Sequence, residues 1–219
     1  MNKKIKIFVI LTIEISLLLP VVNAHVPYLE HKDFTEENPF MVKKSIFQSI
    51  AVYSWLETDF VNPCEDFDVY EFKVRIPNTR IYANLIGPVC GGFYENFVPW
   101  FALVGPGLPD PGSEFPFDLP DGYGAIIKEN VEPGEPRETF YEPFGGKEYY
   151  DGPTIDEKFE KTGTYYVYVW DPHEIGGDYT LALGKYEIWL PLDILRALIY
   201  TPLIRLGFEL HLPLNGSMI

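Results

Sequence analysis

The stretch from Gly163 to Gly184, GTYYVYVWDPHEIGGDYTLALG, constrains the fold of this chain more than any other. From Tyr165 to Trp170 nearly every residue is β-branched or aromatic, the composition of a packed strand. Asp171-Pro172 and Gly176-Gly177 then make a loop. Beyond it, Tyr179, Leu181 and Leu183 alternate with Thr180 and Ala182. A period of two puts the first three on one face of a strand. The segment reads as a hairpin that seals one side of an all-β core.

Other strands follow from the same period. Ser45 to Glu57 is rich in aromatic and aliphatic residues. Asp68 to Ile76 alternates cleanly, with Tyr70, Phe72, Val74 and Ile76 on one face and Glu71, Lys73 and Arg75 on the other. Arg80 to Ile86 follows a Pro77-Asn78 turn. Phe97 to Val104 is apolar throughout, as a strand buried on both faces requires. Gly105 to Gly124 holds five Pro and five Gly residues and reads as a long loop. Short strands return at 125–127, 138–144 and 155–159. Residues 25–44 are polar, carry Pro27 and Pro39, and read as an irregular arm.

The first 24 residues have the pattern of an export signal. Lys3, Lys4 and Lys6 precede an apolar run from Ile7 to Leu19, Pro20 ends it, and Val22-Asn23-Ala24 offers a cleavage site before His25. Glu14 interrupts the run, so an uncleaved anchor is the alternative. The run is short for a spanning helix. Cleavage would remove 24 of 219 residues and leave 195, enough for one sizeable domain. The formal charge of −15 would become −17, because 17 basic residues fall to 14 and 32 acidic ones to 31. Such a surface repels nucleic acid and anionic lipid, and the expected setting is extracellular or the cell envelope. In that setting the two cysteines, Cys64 and Cys90, are expected to form a disulfide over a loop of 26 positions (90 − 64), worth roughly 3–4 kcal/mol.

From Ile188 to Leu210 the chain is strongly apolar again. Pro191 can start a helix and Pro202 should end or kink it. Asp193, Arg196 and Arg205 argue against a spanning helix, at roughly 2.5–3.5 kcal/mol for each charge near a bilayer centre. The pattern predicts a helix over 190–201 whose apolar side, led by Leu195, Leu198 and Ile199, is covered by the sandwich, a partner or a membrane interface. Asp193 and Arg196 should then mark the solvent side.

Two of these segments carry a resemblance. Asp66-Phe67-Asp68-Val69-Tyr70-Glu71-Phe72-Lys73-Val74 resembles the "D-x-D-x-Y-x-F-x-V" strand of bacterial and archaeal pre-peptidase C-terminal domains. Gly163-Thr164-Tyr165-Tyr166-Val167-Tyr168-Val169, with Gly177-Asp178-Tyr179-Thr180-Leu181, resembles their closing "G-T-Y-Y-V-x-V … G-x-Y-T-L" pair. The resemblance covers about half of the chain after residue 24. It implies a compact, non-catalytic β-sandwich of the kind attached to secreted enzymes, some members of which bind polymers or calcium. The connection from Gly105 to Glu160 is longer than the family's, and this chain carries no enzyme domain for such a module to assist.

Carboxylates and histidines are the candidate ligands. Asp66 and Asp68 (with Glu65) sit where a loop enters a strand, and Asp171 and Asp178 (with Glu174) flank the loop of the closing pair. If the two loops meet at one end of the sandwich, their oxygens would suit calcium. Ordinary turn and cap chemistry is the competing account of the same aspartates. Cleavage after Ala24 would leave His25 as a free N-terminus able to chelate copper through its amine and ring nitrogen, with His31, His173 or His211 completing the site. Aromatic residues make up 16% of the chain and would stack on sugars if exposed or form core if buried. No Gly-x-Ser-x-Gly, His-Glu-x-x-His or phosphate-binding loop is present.

The expected protein is therefore an all-β antiparallel sandwich, jelly-roll-like, with a C-terminal amphipathic helix. Its parts are a signal (1–24), an arm (25–44), a sandwich (45–187) and an apolar tail (188–219). The expected role is a non-catalytic exported module for binding or envelope structure, with a protein or polysaccharide partner, calcium as the candidate ion and peripheral membrane contact through 188–210. The alternative is a copper-binding protein or copper oxidoreductase built on His25.

Overall fold

A computed structural model describes residues 25–43, 46–57, 66–92 and 94–211. It is a two-sheet β-sandwich with one C-terminal helix. The strands are β1 (Val26–Leu29), β2 (Phe40–Met41), β3 (Ile50–Leu56), β4 (Phe67–Val74), β5 (Thr79–Pro88), β6 (Trp100–Pro106), β7 (Tyr123–Lys128), β8 (Thr139–Glu142), β9 (Lys147–Phe159), β10 (Gly163–Trp170) and β11 (Gly177–Leu183). Helix α1 spans Pro191–Arg205. One sheet runs β1-β3-β11-β5-β9-β8 and the other β2-β4-β10-β6-β7.

The closing segment forms both of its strands, but they do not pair as a hairpin. β10 lies between β4 and β6 in one sheet, and β11 lies between β3 and β5 in the other. The chain crosses the sandwich at Asp171–Gly176. Asp171 holds that crossing, since its carboxylate accepts the amides of His173, Ile175 and Gly176 at 2.7–3.0 Å. A tight hairpin has no room for such a loop. Facing inward from opposite sheets, Tyr165, Val167 and Val169 meet Tyr179, Leu181 and Leu183 in one core with Tyr70, Phe72 and Val74. Ile76, expected on that face, lies beyond the end of β4 and is exposed.

The arm is part of the sandwich rather than irregular. β1 runs parallel to β3, and β2 parallel to β4, so each sheet has one parallel edge pair in an otherwise antiparallel arrangement. Pro27 is tolerated because β1 is an edge strand. β6 is buried on both faces, as its unbroken apolar sequence implies: Phe101 and Leu103 enter the core, while Ala102 and Val104 lie under a second cluster. The Pro/Gly-rich stretch after β6 forms that cover, with Phe115 and Phe117 packed on Tyr168 and Trp170. Most of the aromatics are thus core. Two glycines permit close approaches. A Cβ on Gly105 would lie 2.2 Å from the Tyr165 ring, and one on Gly184 (φ +74°) would lie 2.3 Å from the Gln48 carbonyl oxygen.

Helix α1 packs beside β1, but its polarity is the reverse of the sequence expectation. Asp193, Ala197 and Ile204 are its buried residues. The Asp193 carboxylate accepts hydrogen bonds from Gln48 Nε2 at 2.9 Å and from the Leu190 amide at 3.0 Å, and pairs with Arg196 at 3.1 Å. Arg196 in turn lies over the Tyr28 ring, 4.2 Å from its centroid. Buried polar partners on the sandwich thus draw the charged side of the helix inward. The helix also continues past Pro202, which stands in its last turn.

Candidate functional site

Two regions stand out against this frame, an acidic end of the sandwich and the outward face of α1. The acidic end is built by three elements. β1 ends at Leu29 beside Tyr53, which places Glu30 next to Ser54. Asp33 and Phe34 follow on the same loop, and the Phe34 amide donates to Asp68 Oδ1 at 3.3 Å. Asp68 enters through β4, where it is opposite Val169. One oxygen from each of Glu30, Asp33 and Asp68 lies within 4.8 Å of the others. Asp66 is near enough to repel both Glu30 and Asp68.

Glu30 and Asp68 are nearly inaccessible to water. A polar chain runs between them. The Ser54 hydroxyl donates to Glu30, the Tyr179 hydroxyl donates to Asp68, and the Tyr70 and Tyr179 hydroxyls are 2.7 Å apart. Among the described residues no ion pair neutralises any of these four carboxylates. Burial therefore raises three of them, Glu30, Asp66 and Asp68. Glu30 is pushed up to about 7, against the opposing hydrogen bonds of Ser54 and the Trp55 amide. Asp66 is pushed up to about 6, again chiefly by burial. Asp68 is raised well above the ordinary carboxylate range by burial and by the Glu30 charge. Such a cluster holds a proton at acid pH. Once ionised, it is a set of hard oxygen donors without a countercharge among the described residues.

The structure groups the expected calcium residues differently from their sequence pairing. Asp66 and Asp68 join Glu30 and Asp33. Asp171 spends its carboxylate on the crossing loop. Asp178, buried, accepts from the Tyr94 hydroxyl and from the His211 amide at 2.7 Å, and its other oxygen is 2.6 Å from His211 Nδ1. Glu65 lies outside the described residues. Glu30 and Asp33 escape a sequence reading because residues 25–44 look polar and irregular. The β-like run Val26–Leu29 ahead of them was the available signal.

The histidines are not gathered. His25 and His31 stand at opposite ends of β1, His173 is in the crossing loop against Trp100, and His211 pairs with Asp178. Burial lowers His25 to about 4. The disulfide involves Cys64, which lies outside the described residues. Cys90, half-buried against the core, follows β5 at the same end of the sandwich at which β3 stops and β4 begins.

The second region is the outward face of α1 and its flanks. Ile188, Leu190, Leu192, Ile194, Leu195, Leu198, Ile199, Leu206 and Phe208 are 47–73% exposed. They are nine of the fourteen large apolar side chains exposed among the described residues. At 100° per residue, the helical ones from Ile194 round to Leu192 cover an arc of about 160°. Beyond the helix the chain turns back onto the sandwich. Lys147 pairs with Glu209, and the His211 ring rests on Trp55 with centroids 3.9 Å apart. The apolar stretch is thus fixed at both ends with its hydrophobic side outward. No helix is long and apolar enough to cross a membrane among the described residues.

Scanned against protein-family models and against curated proteins, the sequence matches none.

Proposed function

We propose that the protein is an exported, non-catalytic β-sandwich module that sits on a membrane surface through α1 and presents the sandwich to a protein or polysaccharide partner. The observation that carries this reading is the reversed helix. An ordinary surface helix turns its apolar stripe inward. This one buries Asp193 and leaves five large apolar side chains outside, with four more on the segments that flank it. A contiguous apolar patch of that kind marks an interaction surface. A partner helix covers a narrow seam, whereas lipid covers a convex arc of about 160° without specific fit. At about 22 Å, the helix is too short to span but suited to lying in the interface. The signal-like N-terminus and the resemblance to modules of secreted enzymes support the exported setting.

The test is flotation with phosphatidylcholine vesicles. The chain should float with the vesicles, and Leu195→Gln combined with Leu198→Gln should stay in the soluble fraction with an unchanged melting temperature. Wild-type protein that never floats would refute membrane attachment.

A second reading has its own observation. The carboxylates of Glu30, Asp33 and Asp68, with Asp66 close by, suit a calcium ion that stabilises this end of the sandwich. Calcium should raise the melting temperature at pH 8, and Asp68→Asn should abolish the rise. The copper alternative finds less support, because the histidines stand apart.

A further inference from the structure

Beside α1 runs an open groove of about 580 Å³ between the helix and the segment from Tyr28 to Lys43. Its charged lining residues are Lys32, Lys43 and Arg196, joined by His31, and no carboxylate lines it. That is unexpected in a chain with 32 acidic and 17 basic residues. Lys32 and Lys43 have no ion-pair partner among the described residues. Arg196 is fixed by Asp193 and by the Tyr28 hydroxyl, 3.0 Å from its Nη1, so its guanidinium is held at the groove wall. Tyr200 closes the same wall, with its hydroxyl 3.2 Å from His31 Nε2. Arg196 and Tyr200 lie on the flank of α1 next to Leu192 and Ile199, which belong to the exposed apolar arc. A cationic groove and an apolar face therefore share one edge.

We infer that this groove takes the phosphate of a phospholipid headgroup whose acyl chains meet the exposed face of α1. The inference rests on the membrane attachment proposed above and names the chemical group recognised there. Guanidinium and ammonium groups lining one groove are what a phosphate requires. The apolar arc beside them is what the rest of the same molecule requires. The overall negative charge works against a strongly anionic bilayer, but it is screened within about 8 Å in physiological salt, whereas the groove acts at contact.

The experiment compares two kinds of vesicle with no net charge, one of phosphatidylcholine and one of digalactosyldiacylglycerol, which has no phosphate. Wild-type protein should bind the phosphatidylcholine vesicles roughly tenfold more tightly, the gain expected from one net charge-assisted hydrogen bond to a phosphate. Lys32→Ala combined with Lys43→Ala should bring the ratio close to one by weakening the phosphatidylcholine arm. Equal wild-type binding to both vesicles would overturn the headgroup assignment while leaving attachment intact. A preference that survives the double substitution would overturn the groove as its source. Failure to bind either vesicle would overturn both this inference and the attachment on which it rests. Inorganic phosphate is titrated in parallel. If it binds and the double substitution abolishes that binding while wild-type protein shows no vesicle preference, the groove takes a free anion and the headgroup assignment fails.

Discussion

Replacing Glu30 by Gln should stabilise this protein at pH 8 in the absence of calcium. Glu30 is buried beside Asp33, Asp66 and Asp68, and burial lifts its carboxyl from 4.5 to about 7. A carboxyl raised on folding favours the folded state below its unfolded value, and that advantage disappears as pH rises through the folded value. The difference is worth about 3 kcal/mol between pH 4 and pH 8. Asp66, raised to about 6, adds a change of the same sign. Gln keeps an acceptor for the Ser54 hydroxyl and cannot ionise, so Glu30→Gln should recover about 1–3 kcal/mol at pH 8. For a domain of this size that is about 2–12 °C in melting temperature. The assay is thermal unfolding by circular dichroism at pH 5, 6.5 and 8 in chelator, repeated with calcium. Wild-type stability should fall as pH rises in chelator and recover with calcium at pH 8, while the Gln variant should show a flatter profile. Stability that is constant or rises from pH 5 to pH 8 in chelator would refute the electrostatic account of this end. So would a variant less stable than wild type at pH 8.

Three further outcomes follow from other parts of the structure. Val74→Ala removes two methyl groups from the core at the end of β4 and should cost about 1–3 kcal/mol in urea unfolding, with an unchanged denaturant slope. Asp193→Ala leaves Gln48 and Arg196 without their buried acceptor and should cost about 2–4 kcal/mol, detaching α1 so that proteolysis cuts first near 190. Intact-mass measurement of protein prepared under oxidising conditions should show a gain of about 2 Da on reduction if Cys64 and Cys90 are bonded, and no change would dispose of the disulfide.

Strand positions were legible because burial imposes a period of two. Tyr70, Phe72 and Val74, and likewise Tyr179, Leu181 and Leu183, face the core as their alternation requires. Pairing was not legible to the same degree. β10 and β11 show strand composition, and nothing in that composition says whether two adjacent strands share a sheet or face each other across the interior. Only the six residues from Asp171 to Gly176, with a carboxylate available to tie them, hinted at a crossing. The acidic end was half visible. Asp66 and Asp68 drew notice at the start of a strand, but their neighbours Glu30 and Asp33 come from a segment whose two short strands depend on edge pairing with β3 and β4. The helix is legible and its orientation is not, because the buried Gln48 and the half-buried Tyr28 supply partners that draw its charged side inward against the usual rule for apolar faces.

The most direct test of the central claim places a fluorescent reporter on the outward face of α1. Leu198 is 69% exposed, so Leu198→Trp should fold normally. The difference in emission between this variant and the wild-type protein isolates the new indole. On addition of phosphatidylcholine vesicles, that difference spectrum should shift to the blue and be quenched by lipids brominated high on their acyl chains. An indole whose emission neither shifts nor quenches at saturating lipid would show that the exposed face of α1 does not enter a membrane, and would contradict the account.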